Sequence, residues 1–265
     1  MNVELLIVGN EILIGKTLDR NSNWLAKKIT KYGHKVRRII TVSDDIEQIS
    51  NVLREILSHK PDIVIISGGL GPTYDDLTLI AVAQALSREL ELDKHAYNMV
   101  KKSYEQAYER GLLKLQGMTK EREKMAYLPK GAIPLKNLRG TSPGVKIFSN
   151  NTLIFCLPGI HIEMKMMFKN SIKEILKEKA GKFIEKGFLI EGIGESQIAP
   201  YTTDLKDRYP QLWIKTHPRF GLSIEVEISI TSFNVENGEE LTDKALNEIR
   251  AIILNLNGKI KERKQ

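Results

Sequence analysis

A chain of 265 residues with 42% hydrophobic and 28% charged side chains carries enough apolar material for a packed core and lies outside the disordered class; its length fits an ordinary domain plus a smaller companion. The formal charge of +7 is uneven: residues 1–170 hold 25 Lys and Arg against 18 Asp and Glu, whereas residues 171–265 hold 15 of each. That surplus suits an anionic small ligand at least as well as nucleic acid, because no long Lys/Arg block appears before the short tail at 259–264.

The N-terminus has no basic leader, and no apolar run approaches the ~20 residues that span a bilayer, so a cytoplasmic protein without membrane attachment is expected. Residues 3–8 form a short apolar run ending in glycine, followed by a glycine-containing loop and an amphipathic segment over 21–32. Strand, loop and helix are predicted in that order. Gly33 supplies the helix stop, 36–42 returns as a strand, and Ser43-Asp44-Asp45 precedes a helix with apolar positions at Ile46, Ile49, Val52, Leu53, Ile56 and Leu57. Residues 63–66 are apolar without alternation, as expected of a central parallel strand covered on both faces. Residues 78–117 read as two helices broken near Leu92-Asp93, and 121–127 as a short helix. A hairpin is expected of 145–148 and 152–157 around Ser149-Asn150-Asn151, and a helix over 162–179. The only cysteine, Cys156, falls in that hairpin's apolar run as a small buried hydrophobe, and a reducing compartment follows.

Near Gly181 the organisation changes to strand (183–191), helix (195–208), strand (212–216), strand (222–232) and helix (239–256). The whole predicts an α/β protein: a doubly wound, mostly parallel sheet in a domain over residues 1–175, and a smaller α+β domain over 182–258.

The most informative stretch is Ser67-Gly68-Gly69-Leu70-Gly71-Pro72-Thr73-Tyr74-Asp75-Asp76, which follows the buried strand and leads into a helix. Ligands of open parallel sheets bind outside the carboxyl ends of the strands, where glycines let backbone N–H groups approach phosphate oxygens. The following helix adds unpaired N–H groups and a positive dipole end, and Thr73 offers a hydroxyl. Two carboxylates beside such a cradle would repel a phosphate unless a cation lay between them. A divalent cation (Mg, Mn or Co) resolves the conflict, with Asp75 and Asp76 as ligands. The bland alternative is that one of these acids caps the helix, evenly balanced for Asp75 and less favoured for Asp76.

At the end of the first strand, Gly9-Asn10-Glu11 continues through Gly15 to Asn21. This loop is expected on the same edge as the glycine turn, with Glu11 as a second metal ligand or general base. Asn21 either faces the ligand or caps its helix. Two later turns, Gly140-Thr141-Ser142-Pro143-Gly144 and Leu157-Pro158-Gly159, are expected to close the pocket. The five histidines show no ligand spacing, although His161 adjoins the second turn. Trp24 and Trp213 are expected to pack, as are Tyr97, Tyr104 and Tyr108 on one helix face.

These motifs, in this order, resemble the CinA family (competence/damage-inducible protein A), whose first domain has the molybdopterin-binding fold. The Val8-Gly9-Asn10-Glu11-Ile12-Leu13-Ile14-Gly15 start with Asn21, the central turn through Leu77-Thr78, the Gly140–Gly144 segment and Leu157-Pro158-Gly159 with Glu163-Met164 carry the likeness. Gly192-Ile193-Gly194-Glu195-Ser196 is similar to the family's middle, KH-like module. Family members usually follow the Pro-Gly turn with Val-Pro-Ser-Glu-Met, where this chain has Ile160-His161-Ile162-Glu163-Met164. Many also carry a C-terminal domain that deamidates nicotinamide mononucleotide; none is expected here, and neither is that activity. The resemblance implies metal-dependent hydrolysis of ADP-ribose to AMP and ribose 5-phosphate, binding at the residues just named, and a homodimer. A pterin-binding protein without catalysis is the first alternative. A nucleic-acid role for the small domain is the second, and its balanced charge disfavours it.

Overall fold

The computed structural model describes residues 1–219 and 224–262. The chain divides into two compact units, one of Met1–Thr30 and His34–Lys179, the other of Lys31–Gly33 with the residues from Ala180 onward.

In the first unit, β1 (Asn2–Val8) runs buried from Val3 to Val8 and turns into the single-turn helix α1 (Asn10–Leu13). The helix α2 (Arg20–Lys31) buries Leu25 and Ile29 and stops before Gly33, whose φ of 73° is the left-handed value a helix terminus favours. The strand β2 (Lys35–Val42) leads to α3 (Ile46–Ser58), where Asp45 caps by accepting from Gln48 N and Ile49, Leu53 and Ile56 face inward. Every residue of β3 (Ile63–Ser67) is buried, the outcome expected of its unalternating apolar run.

After the glycine turn come α4 (Thr78–Ala85), the three-residue β4 (Leu90–Leu92), α5 (Lys94–Glu109) capped by Asp93, and α6 (Lys120–Lys124) capped by Thr119. The short strands β5 (Tyr127–Pro129) and β6 (Ile133–Leu135) precede the hairpin of β7 (Gly144–Ser149) and β8 (Thr152–Leu157). The helices α7 (His161–Ser171) and α8 (Lys173–Glu178) close the unit. Here the sequence predicts one helix; the break falls at Ile172, which caps both pieces.

The main sheet has the order β2-β1-β3-β8-β7-β6. Its first four strands are parallel, while β7 runs antiparallel to β8 and β6 to β7. Separately, β4 and β5 pair as an antiparallel ribbon. Leu6, Ile66, Ile154 and Val145 form part of one continuous core. Cys156 belongs to it, and complete burial pushes its thiol pKa up to about 12.

The second unit contains β9 (Phe183–Glu191), α9 (Glu195–Arg208), β10 (Leu212–Arg219), β11 (Glu225–Phe233), α10 (Gly238–Asn255) and β12 (Lys259–Glu262). Its antiparallel sheet has the order β10-β11-β9-β12 around a core that includes Phe188, Ile228 and Ile249. The first residues of the strand expected over 222–232 lie in part outside the described residues; the strand is seen from Glu225. The basic tail contributes β12 as a fourth strand, with Lys261 paired to Glu191. Trp213, expected to pack, is instead 64% exposed, because β10 alternates and its neighbours, buried Leu212 and half-buried Ile214, face the core. Trp24 does pack, edge-on to Phe168 at 5.2 Å between ring centroids. No helix among the described residues is long and apolar enough to cross a membrane.

Candidate functional site

Strand order reverses between β1 and β3: the chain leaves β1 outward to β2, then returns past β1 to β3. Loops leaving the carboxyl ends of two such strands diverge to opposite faces and open a crevice where ligands of this architecture bind. The Gly9–Glu11 segment and the glycine turn leave from those two strands. They approach closely, since a Cβ at Gly68 would lie 2.1 Å from the Val8 carbonyl oxygen and its φ is 116°. Only glycine fits there.

Within the turn, the Gly68 amide is spent on the Leu157 carbonyl at 3.0 Å, and Thr78 closes the far side through its amide to Gly69 O and its hydroxyl to Gly68 O. The amides of Gly69, Leu70 and Gly71 have no protein acceptor among the described residues. Three donors at one turn are the usual means of holding an oxyanion.

The two acids are organised by Thr73. Its hydroxyl lies 2.5 Å from Asp75 Oδ1 and 2.6 Å from Asp76 Oδ2, and its amide donates to the same Asp76 oxygen at 2.8 Å. Neither acid caps α4, whose N-cap is Leu77 without a side-chain bond. The capping alternative is thereby removed. A hydroxyl has one proton, so it can satisfy only one of its two carboxylate neighbours. The Asp75 carboxyl is held below its ordinary range, first by the Thr73 hydroxyl, then by its own backbone amide, with a smaller pull from the Lys124 ammonium. Lys124 Nζ donates to the Thr73 carbonyl. Asp76 and Lys124 line a cleft of about 450 Å³ with Gly69, Gly71, Lys120 and Tyr127.

Two carboxylates beside free backbone donors suit a hard cation that completes its shell with phosphate oxygens and water. Among the described residues no group of three or more His, Cys, Asp or Glu is placed to hold a metal, so a cage built wholly of protein ligands does not fit. Glu11 does not join the acidic pair. Its carboxylate curls back over its own turn, 2.8 Å from where a Cβ on Gly9 would be, and the Asn10 amide is taken by Asp44 at 2.7 Å. Gly15 turns at φ 72° with nothing nearby.

Asn21 is a buried framework residue; Asp19 takes the cap of α2 by accepting from Ser22 N at 2.9 Å. The Asn21 amide donates to Ser67 Oγ at 3.0 Å and Gly159 O at 2.7 Å, and its oxygen accepts from His161 Nδ1 at 2.7 Å. Ser67 in turn donates to Pro158 O at 3.1 Å. These bonds lock the ends of β3 and β8 and the start of α2 into one edge. Ser67, Pro158 and Gly159 thus position the crevice through groups already bonded to one another.

The Gly140–Gly144 segment was expected to close the same pocket, and the structure divides its residues. Ser142 Oγ donates to the Leu70 carbonyl, joining the segment to the glycine turn. Thr141 and Pro143 nevertheless line a different cleft, of about 700 Å³, which shares no residue with the first. Gly144 is a packing position, where a Cβ would lie 2.9 Å from Cys156 O and 2.4 Å from Met167 Cε. Glu163 is buried and accepts from Asn137 Nδ2 at 2.7 Å, steadying the segment from beneath. Pro72 lies half-buried beside the acidic pair.

The model of the probable molybdopterin binding domain matches residues 4–178. The chain belongs to that family. It is CinA-like within it: the solved structure of the protein CinA from Thermoplasma acidophilum is 35% identical, covers 66% of this chain and 99% of that one, and superposes with a TM-score of 0.60. A protein of Sulfurisphaera tokodaii is 42% identical over 262 residues, 97% of each chain. One from Pyrococcus furiosus is 48% identical over 200 residues, 76% of this chain and 79% of its own.

Within this molybdopterin-binding-type domain, sequence reasoning missed two site residues, Lys124 and Tyr127. Both line the Asp76 cleft although about fifty positions separate them from the turn. The single local signal was the basic-acidic alternation of Lys120-Glu121-Arg122-Glu123-Lys124 ahead of Pro129, which reads as an ordinary solvated helix face. His161, noted only for its place beside a turn, proves to be the third partner of Asn21.

Proposed function

We propose that the first unit is a metal-dependent pyrophosphohydrolase acting on ADP-ribose or a related nucleotide. The observation that carries this reading is the Thr73 hydroxyl set between the carboxylates of Asp75 and Asp76, at 2.5 and 2.6 Å, beside a turn with unspent backbone donors. In this reading the amides of Gly69 to Gly71 hold one phosphate of the substrate, and Lys124 offsets its charge. Asp75 and Asp76 hold a divalent cation, Mg, Mn or Co. Once bound, such an ion neutralises phosphate charge and lowers the pKa of a coordinated water. Thr73 fixes both carboxylates toward one position and keeps Asp75 ionised. Water adds to one phosphorus, the P–O–P bond breaks with its electrons on the departing phosphate, and AMP and ribose 5-phosphate result.

The test offers ADP-ribose with each metal and measures AMP by chromatography. Asp76→Asn is expected to lower turnover by at least ~100-fold, the scale of losing a principal electrostatic group, with its melting profile nearly unchanged. Full turnover in that variant removes Asp76 from the mechanism.

The family match favours a second reading, a pterin or molybdopterin binder without catalysis. Pterin fluorescence retained through purification, with no AMP formed under any metal, would decide for it.

A further inference from the structure

The second cleft takes no part in the proposed hydrolysis, yet its lining is distinctive. Lys102 and Arg110 enter it from α5 and the residue after it, and Lys136 and Arg139 from the segment joining β6 to β7. Among the described residues none of these four cations lies within ion-pairing distance of a carboxylate. No Asp or Glu lines the cleft. Four like charges converging on one concavity repel one another, and a bound anion relieves that cost.

The wall that carries Lys136 and Arg139 is rigid. Buried Asn137 accepts from Arg139 N at 3.0 Å and Gly140 N at 2.9 Å, and donates to Ser142 O at 2.9 Å and Glu163 Oε2 at 2.7 Å. All its main hydrogen-bonding capacity goes to shaping this loop. Half-buried Met99 lines the cleft between these walls, and Leu112 and Leu138 are exposed at its edge beside the amides of Asn98 and Gln106. Apolar surface, side-chain amides and several cations together suit a base joined to phosphates. About 700 Å³ is the size of a small-molecule site.

We propose that this cleft is a second ligand site, specific for a nucleoside diphosphate, which binds without metal and apart from the acidic pair. Its position makes it suited to regulation. Ser142, in the same loop, donates to the Leu70 carbonyl in the glycine turn, so a ligand bound against this fastened loop is linked through it to the phosphate-binding amides.

The experiment titrates the full chain with ADP in EDTA by calorimetry, with adenosine and inorganic phosphate as separate arms. The expected results are ADP binding that weakens as salt is raised, much weaker binding of either fragment, and a loss of 10-fold or more in Lys136→Glu/Arg139→Glu. Asp76→Asn should bind ADP as the wild type does while failing to hydrolyse ADP-ribose, which separates this site from the hydrolytic one. Should the double variant fold poorly, Lys102→Gln/Arg110→Gln tests the opposite wall. Unchanged affinity in the folded charge variants, no ADP binding by the wild type, tight binding of a short RNA in place of ADP, or a loss of ADP binding in Asp76→Asn would each overturn the proposal.

Discussion

A methyl group added at Gly71 would lie 2.6 Å from Asp76 Oδ2, inside van der Waals contact. Because the φ of Gly71 is not in the left-handed region, Gly71→Ala costs little as backbone and acts through the carboxylate it displaces. Turnover of ADP-ribose is expected to fall by roughly 10- to 100-fold, the scale of a small misplacement at a reacting centre, with the melting temperature almost unmoved. Steady-state kinetics and a melting curve on the same sample check both halves. A second residue-scale expectation concerns pH. His34 is buried, with its Nε2 bonded to the Leu176 carbonyl and its Nδ1 facing the N-terminal ammonium. Burial lowers its pKa below the ordinary value near 6.5, the ammonium lowers it further, and the Leu176 carbonyl opposes them. His161 shifts the same way, by burial and then by Lys165 and Arg20. Below pH ~6.5 the unfolded chain therefore takes up protons that the folded chain refuses, so stability declines as pH falls through that value toward the lowered folded pKa. Melting temperatures from pH 7.5 to 5 should fall more steeply in the wild type than in His34→Gln. At this scale the sequence made the glycine turn and its two acids legible because they are contiguous. Asn21, Lys124 and Asn137 were not read for their roles, since each depends on partners that only the fold brings near.

The parallel strands and their helices were readable because each is long enough to repeat its pattern: β3 is apolar at four successive positions, and α3 returns to the core at Ile49, Leu53 and Ile56. The strands β4, β6 and β12 have three or four residues apiece. That is too few to show alternation, and pairing with a distant strand defines each of them. The helical break at Ile172 likewise left no glycine or proline as a signal. Packing between elements also corrects the role expected of Gly144. Because β7 passes so close to Met167 and the Cys156 carbonyl, Gly144→Ala should destabilise the first unit by about 1–3 kcal/mol through overpacking. Chemical denaturation measures this; an unchanged midpoint would show that Met167 gives way.

Across the whole molecule, two hydrophobic cores share no residue, one around Ile66 and Ile154, the other around Phe188 and Ile228. Multi-unit chains often depart from a single cooperative transition. Calorimetry is expected to resolve two components, and Ile228→Ala, at a cost of ~2–5 kcal/mol, should lower only one while ADP-ribose turnover below that transition stays as it was. A single transition moving as a whole would mean that the cores unfold together. Architecture at this scale followed from the alternation of strands and helices, which is a global pattern. The division of the expected pocket into two clefts did not, because it depends on where a loop fastened by Asn137 comes to rest.

Cys156 offers a practical consequence. With its sulfur sealed in β8 and its pKa near 12, it stays protonated and out of reach of maleimides at neutral pH. A thiol introduced at exposed Glu109, next to the cleft but outside its lining, would then be the one site that accepts a dye, so a fluorophore could report on occupancy of the basic trough without first stripping the native cysteine from the chain.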